Sequence, residues 1–242
     1  MTERITGMSP NRQARLAGGL YLINILTGVF AIIFVRSALL VPGDAAATAA
    51  NILAHETRFR LGFVAEIVTC ITCIPLAVIF YNLLKIVNKS LAMADVFFSL
   101  VGTAIEATVL LNHFAPLIFL QPGGYLGAFT PEQLQAQAYI SLQLQDIGLS
   151  IALVFFGFDC FIVGYLIFRS TFLPRIIGVL LAIEGTGYLI NSFTSFVAPA
   201  LQARIFPYFT ATAIGEVSLS LWLLVMGVNV TRWRERTAEA TN

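Results

Sequence analysis

Hydrophobic residues are grouped along the chain in six long stretches, with short polar segments between them. A helix of about 20 apolar residues crosses the roughly 30 Å hydrocarbon core of a bilayer, and each stretch is at least that long. We predict spans at approximately Leu16 to Val41, Leu61 to Leu84, Leu91 to Leu120, Leu142 to Phe168, Arg175 to Val197 and Ile205 to Val230. Because only helices and closed barrels span bilayers, the predicted fold is an all-α, polytopic bundle forming one domain over residues 1–242.

Composition supports the assignment to the membrane. Of the 242 residues, 58% are hydrophobic and 11% are charged. The mean hydropathy of +0.85 is too high for a domain whose surface faces water. The net charge is +1 and no long run of like charges occurs, so we expect the lipid bilayer as a partner and no nucleic acid.

The basic residues predict the orientation of the bundle. One side of the predicted spans carries Arg4, Arg12, Arg15, Lys85, Lys89, Arg169, Arg175, Arg232, Arg234 and Arg236. The other side carries only Arg36, Arg58, Arg60 and Arg204. Cytoplasmic loops are the richer in Lys and Arg, so we predict a bacterial inner-membrane protein with both termini in the cytoplasm.

Two of the outer loops contain signals for helix starts. Asp44 precedes an alanine-rich run, as a helix N-cap does. Thr130, Pro131 and Gln133 supply an N-cap, a proline at the first helical position and the glutamine of a capping box. We therefore expect a helix in each loop, and the second could extend the fourth span outward.

Carboxylates occur inside five of the six predicted spans, at Glu66, Glu106, Asp159, Glu184 and Glu216. An ionisable group at the bilayer centre costs about 3 kcal/mol on insertion scales. Carboxylates at this density therefore need the interior of the bundle or a wet cavity.

Helical periodicity places several of these groups on shared faces. Asp95, Glu106 and His113 fall on one face of the third span, and the rise per residue puts Glu66, Glu106 and Glu216 in the outer half of the membrane. We predict a ligand pocket there, formed by Glu66, Glu106, Asn112, His113, Tyr188, Asn191, Glu216, Arg58 and Arg60. Asp159 is expected to lie outside it, and Glu184 to be a deeper extension of it.

Three functions are compatible with buried carboxylates that have no deep lysine or arginine beside them. A carrier coupled to protons would load and unload them. An enzyme acting on an isoprenoid or another lipid would use Glu216, Glu66 or Glu106 as a general acid. A structural or assembly partner would use them only for hydrogen bonds between helices. We favour the binding of a small apolar or amphiphilic molecule over catalysis.

No cofactor or metal is expected from the sequence. A retinal Schiff base needs a lysine within the membrane, and the predicted spans contain none. Of the two histidines, only His113 reaches membrane depth, which excludes bis-histidine haem. The cysteines Cys70, Cys73 and Cys160 lie in apolar stretches, where we interpret them as small core residues.

Several motifs resemble those of a bacterial membrane family catalogued as domain of unknown function 4386. They include Arg15-Leu16-Ala17-Gly18, Phe59-Arg60-Leu61-Gly62-Phe63, Leu111-Asn112-His113-Phe114 and Leu173-Pro174-Arg175-Ile176. The resemblance extends from about Arg15 to Thr231 and implies a six-helix inner-membrane protein without an established activity. It also implies that Glu66, Glu216 and the Asn112-His113 pair belong to the family pattern. Asp159, Glu184 and Asn191 depart from that pattern.

Overall fold

A computed structural model describes residues 7–121, 123–124, 127–202, 204 and 214–241. The first helix is α1 (Pro10–Val29), continued by a π-helix (Phe30–Arg36) and the short α2 (Ser37–Leu39). The remaining helices are α3 (Ala45–Ala54), α4 (Glu56–Leu84), α5 (Lys89–Leu120), α6 (Pro131–Ser170), α7 (Arg175–Val197), α8 (Ile214–Val225) and α9 (Val230–Thr241). No strand occurs in the described part of the chain, and the predicted all-α membrane fold is confirmed.

The helices that are long and apolar enough to cross a membrane number five in the described residues. A sixth span is possible where α8 and α9 follow one another, but the chain bends there by 102°. The residues between the two helices include Gly227, whose φ is +69°. Glycine adopts this backbone conformation without steric cost. The predicted sixth span ended at Val230, whereas α8 ends at Val225; residues 205–213, where that span was predicted to begin, lie outside the described ones.

Both predicted helix starts are present in the structure. The backbone N–H of Ala47 donates to the Asp44 carboxylate at 2.8 Å, which caps α3. At the start of α6, the Thr130 N–H donates to the Gln133 side chain at 2.8 Å, and the Gln133 N–H donates to the Thr130 hydroxyl at 3.3 Å. This reciprocal capping box starts α6 at Pro131. The helix has 40 residues, about 60 Å at 1.5 Å per residue, so it extends the fourth span well beyond the hydrocarbon.

The chain divides into two compact units. The first unit comprises residues 1–23, 71–103 and 150–242, and the second comprises residues 24–70 and 104–149. The core of the first unit includes Ile79, Leu83, Leu166, Leu181 and Leu223. The core of the second is formed by Val35, Leu39, Ile52, Phe59, Leu117 and Leu142. Each unit contains its own set of buried polar groups.

In the first unit, α6 and α7 pack with their backbones in contact. A Cβ atom on Gly164 would lie 2.6 Å from the carbonyl oxygen of Gly178, and one on Gly185 would lie 2.6 Å from that of Gly157. Small residues allow membrane helices to approach this closely, where van der Waals contact rather than water drives association. The contact brings Cys160, between the two glycines of α6, against the part of α7 that carries the carboxylate next to Gly185.

Candidate functional site

Glu184 is the most deeply buried carboxylate of the first unit, with no exposed surface. Its Oε2 atom accepts a hydrogen bond from the backbone N–H of Glu216 at 2.8 Å. Its Oε1 atom accepts one from the Tyr188 hydroxyl at 3.2 Å, four residues along the same helix. The Glu184 side chain of α7 therefore bonds directly to the backbone of α8. This contact brings the carboxyl groups of Glu184 and Glu216 into one cluster.

Glu216 completes this cluster, which we call the acid cluster and define as Tyr21, Cys160, Glu184, Tyr188 and Glu216. The hydroxyls of Tyr21 and Tyr188 lie within hydrogen-bonding reach of the Glu216 carboxylate, so Tyr188 can donate its proton either to Glu216 or to Glu184. The Cys160 thiol lies 4.0 Å from Glu216 Oε1. Ligand atoms of Cys160, Glu184 and Glu216 all lie within 4.8 Å of one another.

A second pair of carboxyl groups occurs in the same unit, between α5 and α6. The side chains of Asp95 and Asp159 lie within hydrogen-bonding reach of each other. Ionised carboxylates only accept hydrogen bonds, so the two can bond only when one of them carries a proton. Asp159 also interacts electrostatically with Glu216. Asp159, which was expected to lie outside the pocket, is thus electrostatically coupled to one of the predicted pocket residues.

The acid cluster and the aspartate pair share a lack of basic neighbours. In the described part of the chain, the groups that bond to Glu184 and Glu216 are hydroxyls, a thiol and a backbone N–H, with no Lys, Arg or His among them. Carboxylates in contact without a cation disfavour the state in which all are ionised. Such groups can take up and give off protons.

The second unit contains a different arrangement, in which Glu66 faces a histidine and Asp146 faces an arginine. His113 Nδ1 lies 2.7 Å from Glu66 Oε2, and its Nε2 lies 3.1 Å from the carbonyl oxygen of Phe59. Both ring nitrogens therefore face acceptors, which suits a ring that donates from both of them. Glu66 and His113 are both buried, so each is the other's principal partner in this part of the unit.

Gln145 of α6 also bonds to Glu66, and it was not among the predicted site residues. Its Nε2 atom donates to Glu66 Oε1 at 3.0 Å, and its side chain is fully buried. The signal in the sequence was an amide three residues after Leu142, where the predicted fourth span began. A buried amide at such a position needs a partner on a neighbouring helix.

Arg36, at the end of the π-helix, forms a further ion pair of the second unit. Its NH2 atom lies 2.6 Å from Asp146 Oδ1 and donates to the carbonyl oxygen of Leu142 at 2.7 Å. π-helical segments widen the turn to i→i+5 bonds and occur at functional sites. The N–H of Ser37 makes such a bond to the carbonyl oxygen of Ile32.

The predicted ligand-binding residues are divided between the two units. Those in the second unit are Arg58, Arg60, Glu66, Glu106, Asn112 and His113, whereas those in the first unit are Tyr188, Asn191 and Glu216. Arg60 forms an i,i+4 ion pair with Glu56, and the Asn191 side chain accepts from Gln202 at 3.0 Å. Arg58, Glu106 and Asn112 are half-buried.

The acid cluster also presents one thiol and two carboxylates, which together are potential metal ligands. Three protein ligands and an open position are typical of catalytic zinc sites. In this structure, however, both Glu184 oxygens accept hydrogen bonds from within the protein, and two tyrosine hydroxyls lie within hydrogen-bonding reach of the Glu216 carboxylate. The donors fit a hydrogen-bonded carboxyl network, which needs no ion to satisfy it.

Comparisons with known proteins find a relative and a family for the chain. An uncharacterized protein of Archaeoglobus fulgidus is 27% identical over 154 residues, which cover 64% of this chain and 76% of the relative. No solved structure matches the chain. A family model described as domain of unknown function (DUF4386) matches residues 16–227, nearly the whole of the helical region described above. The chain therefore belongs to the DUF4386 family.

Proposed function

We propose that this protein binds a small apolar or amphiphilic molecule in an acid-lined pocket in the outer half of the membrane, and couples binding to proton transfer. The observation that carries the proposal is the acid cluster, in which the neighbours of Glu184 and Glu216 among the described residues are hydroxyls, a thiol and a backbone N–H, and none is a cation. Intramembrane carboxylates arranged in this way are typical of proton relays in pumps and transporters.

The aspartate pair supports the coupling step. Asp95 and Asp159 lie within hydrogen-bonding reach of each other, so a proton can be held between them, and Asp159 interacts electrostatically with Glu216. Four carboxyl groups of the first unit are thereby coupled, by hydrogen bonding or by electrostatic interaction. A ligand that binds beside Glu216 changes the electrostatic surroundings of these four carboxyl groups. The protein responds by releasing or taking up a proton.

The orientation follows from the basic residues. We place both termini in the cytoplasm and the chain in the inner membrane, because the loops rich in Lys and Arg are those that join α4 to α5 and α6 to α7. Reporter fusions at Asn88 and at the C-terminus test this. Both should be active as cytoplasmic reporters, and activity of either on the outer side would contradict the assignment.

The coupling is testable with the purified protein in nanodiscs. Small molecules that copurify with it are identified by mass spectrometry and added back to protein in a weakly buffered solution that contains a pH dye. Wild type should exchange protons on binding, and Glu216→Gln should not. The control is Glu235→Gln, an exposed carboxylate on α9. If no small molecule is enriched, or if Glu216→Gln exchanges protons as wild type does, the proposal is wrong.

A lipid or isoprenoid enzyme is the second candidate. It is favoured by the two tyrosine hydroxyls near Glu216. Protonation of an alkene by the Glu216 carboxylic acid leaves a carbocation and the Glu216 carboxylate; the cation then loses a proton from a neighbouring carbon to give a rearranged alkene, and that proton returns to the carboxylate directly or through a tyrosine hydroxyl that accepts one proton as it gives up another. Conversion of the copurified molecule to a product, lost in Glu216→Gln, would identify an enzyme. Binding and proton exchange without conversion would identify a carrier, and absence of any ligand would favour a structural partner.

A further inference from the structure

A small cavity lies in the second unit, lined by residues of the π-helix and of α2 to α6. Its volume is about 10 Å³, room for about one oxygen atom with its hydrogens. The polar residues that line it are Arg36 and His113. Its apolar lining is formed by Leu39, Leu40, Ile52, Phe59 and Leu142. An apolar wall with one or two polar groups is the usual construction of a small-molecule site.

Arg36 supplies a hydrogen-bond donor that the protein does not use. One guanidinium nitrogen, NH2, binds Asp146 and the carbonyl oxygen of Leu142. A second of its three nitrogens, NH1, is buried and has no acceptor among the described residues. A buried donor without a partner is strongly disfavoured, and more so on a charged group. Since Arg36 lines the cavity, an acceptor atom placed there satisfies the guanidinium.

His113 does not compete for the same acceptor. Its two nitrogens are occupied by Glu66 and by the carbonyl oxygen of Phe59. The ring instead forms part of the wall, with its centroid 4.5 Å from that of Phe59. Recognition of a polar atom in the cavity therefore depends on Arg36.

The charges around the cavity select the kind of acceptor. Asp146 balances Arg36, and Glu66 balances His113, so the pocket has a donor without an excess of positive charge. A carboxylate or phosphate would bring an unpaired negative charge into apolar surroundings, which is costly. A carbonyl, ester or hydroxyl oxygen accepts the same hydrogen bond without that cost.

We propose that this cavity binds the head-group oxygen of a neutral amphiphile, with Arg36 NH1 as the donor and the leucine and isoleucine side chains against its apolar part. This inference rests on the proposed function, in that the protein binds an amphiphile, and it names the chemical class and the residue that recognises the head group. Leu40 is half-buried at the edge of the cavity, where the apolar part would enter.

Equilibrium binding of two probes to the full-length protein in nanodiscs tests the inference. The probes are a monoacylglycerol, with a neutral ester head, and the fatty acid of the same chain length, which is an anion. Wild type should bind the monoacylglycerol more tightly than the fatty acid. Arg36→Gln should weaken monoacylglycerol binding about tenfold or more, since one hydrogen bond to a charged group is lost. Unchanged binding by Arg36→Gln would overturn the inference.

Asp146→Asn separates recognition from structural support, because it removes the ion pair and leaves the Arg36 donor in place. If Arg36 recognises the ligand, this variant should retain the monoacylglycerol and gain affinity for the fatty acid. If the ion pair only supports the fold, both variants should lose binding equally, and the inference fails. Leu40→Phe keeps the ion pair and fills the cavity, so it should lose the monoacylglycerol while the protein remains folded; retained binding would contradict the site.

The two proposals fail in different ways. If Glu216→Gln abolishes proton exchange but Arg36→Gln leaves ligand binding unaltered, the head-group site is wrong and the proposed function stands. If wild type binds neither probe and copurifies with no small molecule, the proposed function itself is wrong, and with it this inference.

Discussion

His113→Gln should destabilise the protein strongly, because it removes one partner of a buried ion pair. The side chains of His113 and Glu66 are 3% and 10% exposed, and the two groups are 2.7 Å apart. Breaking such a pair by removing one partner costs about 3–5 kcal/mol, since it leaves a buried charge without compensation. Gln145 still donates to Glu66, so we expect the lower end, about 3 kcal/mol. In a chain of this length that lowers Tm by about 6–12 °C.

Thermal unfolding of the purified protein in detergent measures the effect, with a double-mutant cycle to isolate the pair. Glu66→Gln alone should also destabilise, and the double variant should lose less than the sum of the single losses, because both charges are gone. The other histidine, His55, is exposed and offers a matched control, for which His55→Gln should change stability by about 0.5 kcal/mol or less. If His113→Gln lowers Tm no more than His55→Gln does, or if the two effects simply add, the ion pair does not stabilise the second unit.

Three further changes test the packing and the helix ends. Gly164→Val should force α6 and α7 apart and cost about 1–3 kcal/mol in thermal unfolding, whereas Gly28→Ala, with nothing within 4 Å of the added Cβ, should be tolerated. Thr130→Ala removes the capping box and should cost about 1 kcal/mol, seen as faster hydrogen exchange confined to the first turns of α6. Trp233→Phe loses the 3.2 Å bond to the Leu83 carbonyl and should speed exchange in α9; unchanged exchange would mean that this bond does not hold the helix.

The helices were predictable because their signals are local. Hydrophobic length identified the spans, and the side chains of Asp44 and Thr130 identified two helix starts from neighbouring residues alone. The end of α8 was less predictable. An apolar run continues to Val230, and the turn at Gly227 depends on a bond from the Val228 N–H to Asn11, at the other end of the chain.

The composition of the site depended on contacts between helices, which periodicity cannot supply. Asp159 was expected to lie outside the pocket, and helical periodicity places it on the opposite face of its helix from Asp146. A helix of 40 residues meets different neighbours along its length, so Asp146 pairs with Arg36 in the second unit and Asp159 with Asp95 in the first. Opposite faces therefore do not mean that only one of them is functional. Likewise, the Glu184 carboxylate meets the backbone of Glu216 because of the way α7 packs against α8, and the sequence alone does not give that packing.

The two units use carboxylates in opposite ways, and the same substitution should reveal the difference. Glu66 is paired with His113, so Glu66→Gln removes a charge that another charge requires and should lower Tm. Glu216 faces tyrosine hydroxyls and Glu184, so Glu216→Gln imitates its protonated form and removes a repulsion. We therefore expect Glu216→Gln to unfold at or above the temperature of wild type while losing proton exchange. Equal destabilisation by both variants would mean that Glu216 is held as a charged structural group, which would remove the physical basis for assigning proton transfer to the acid cluster.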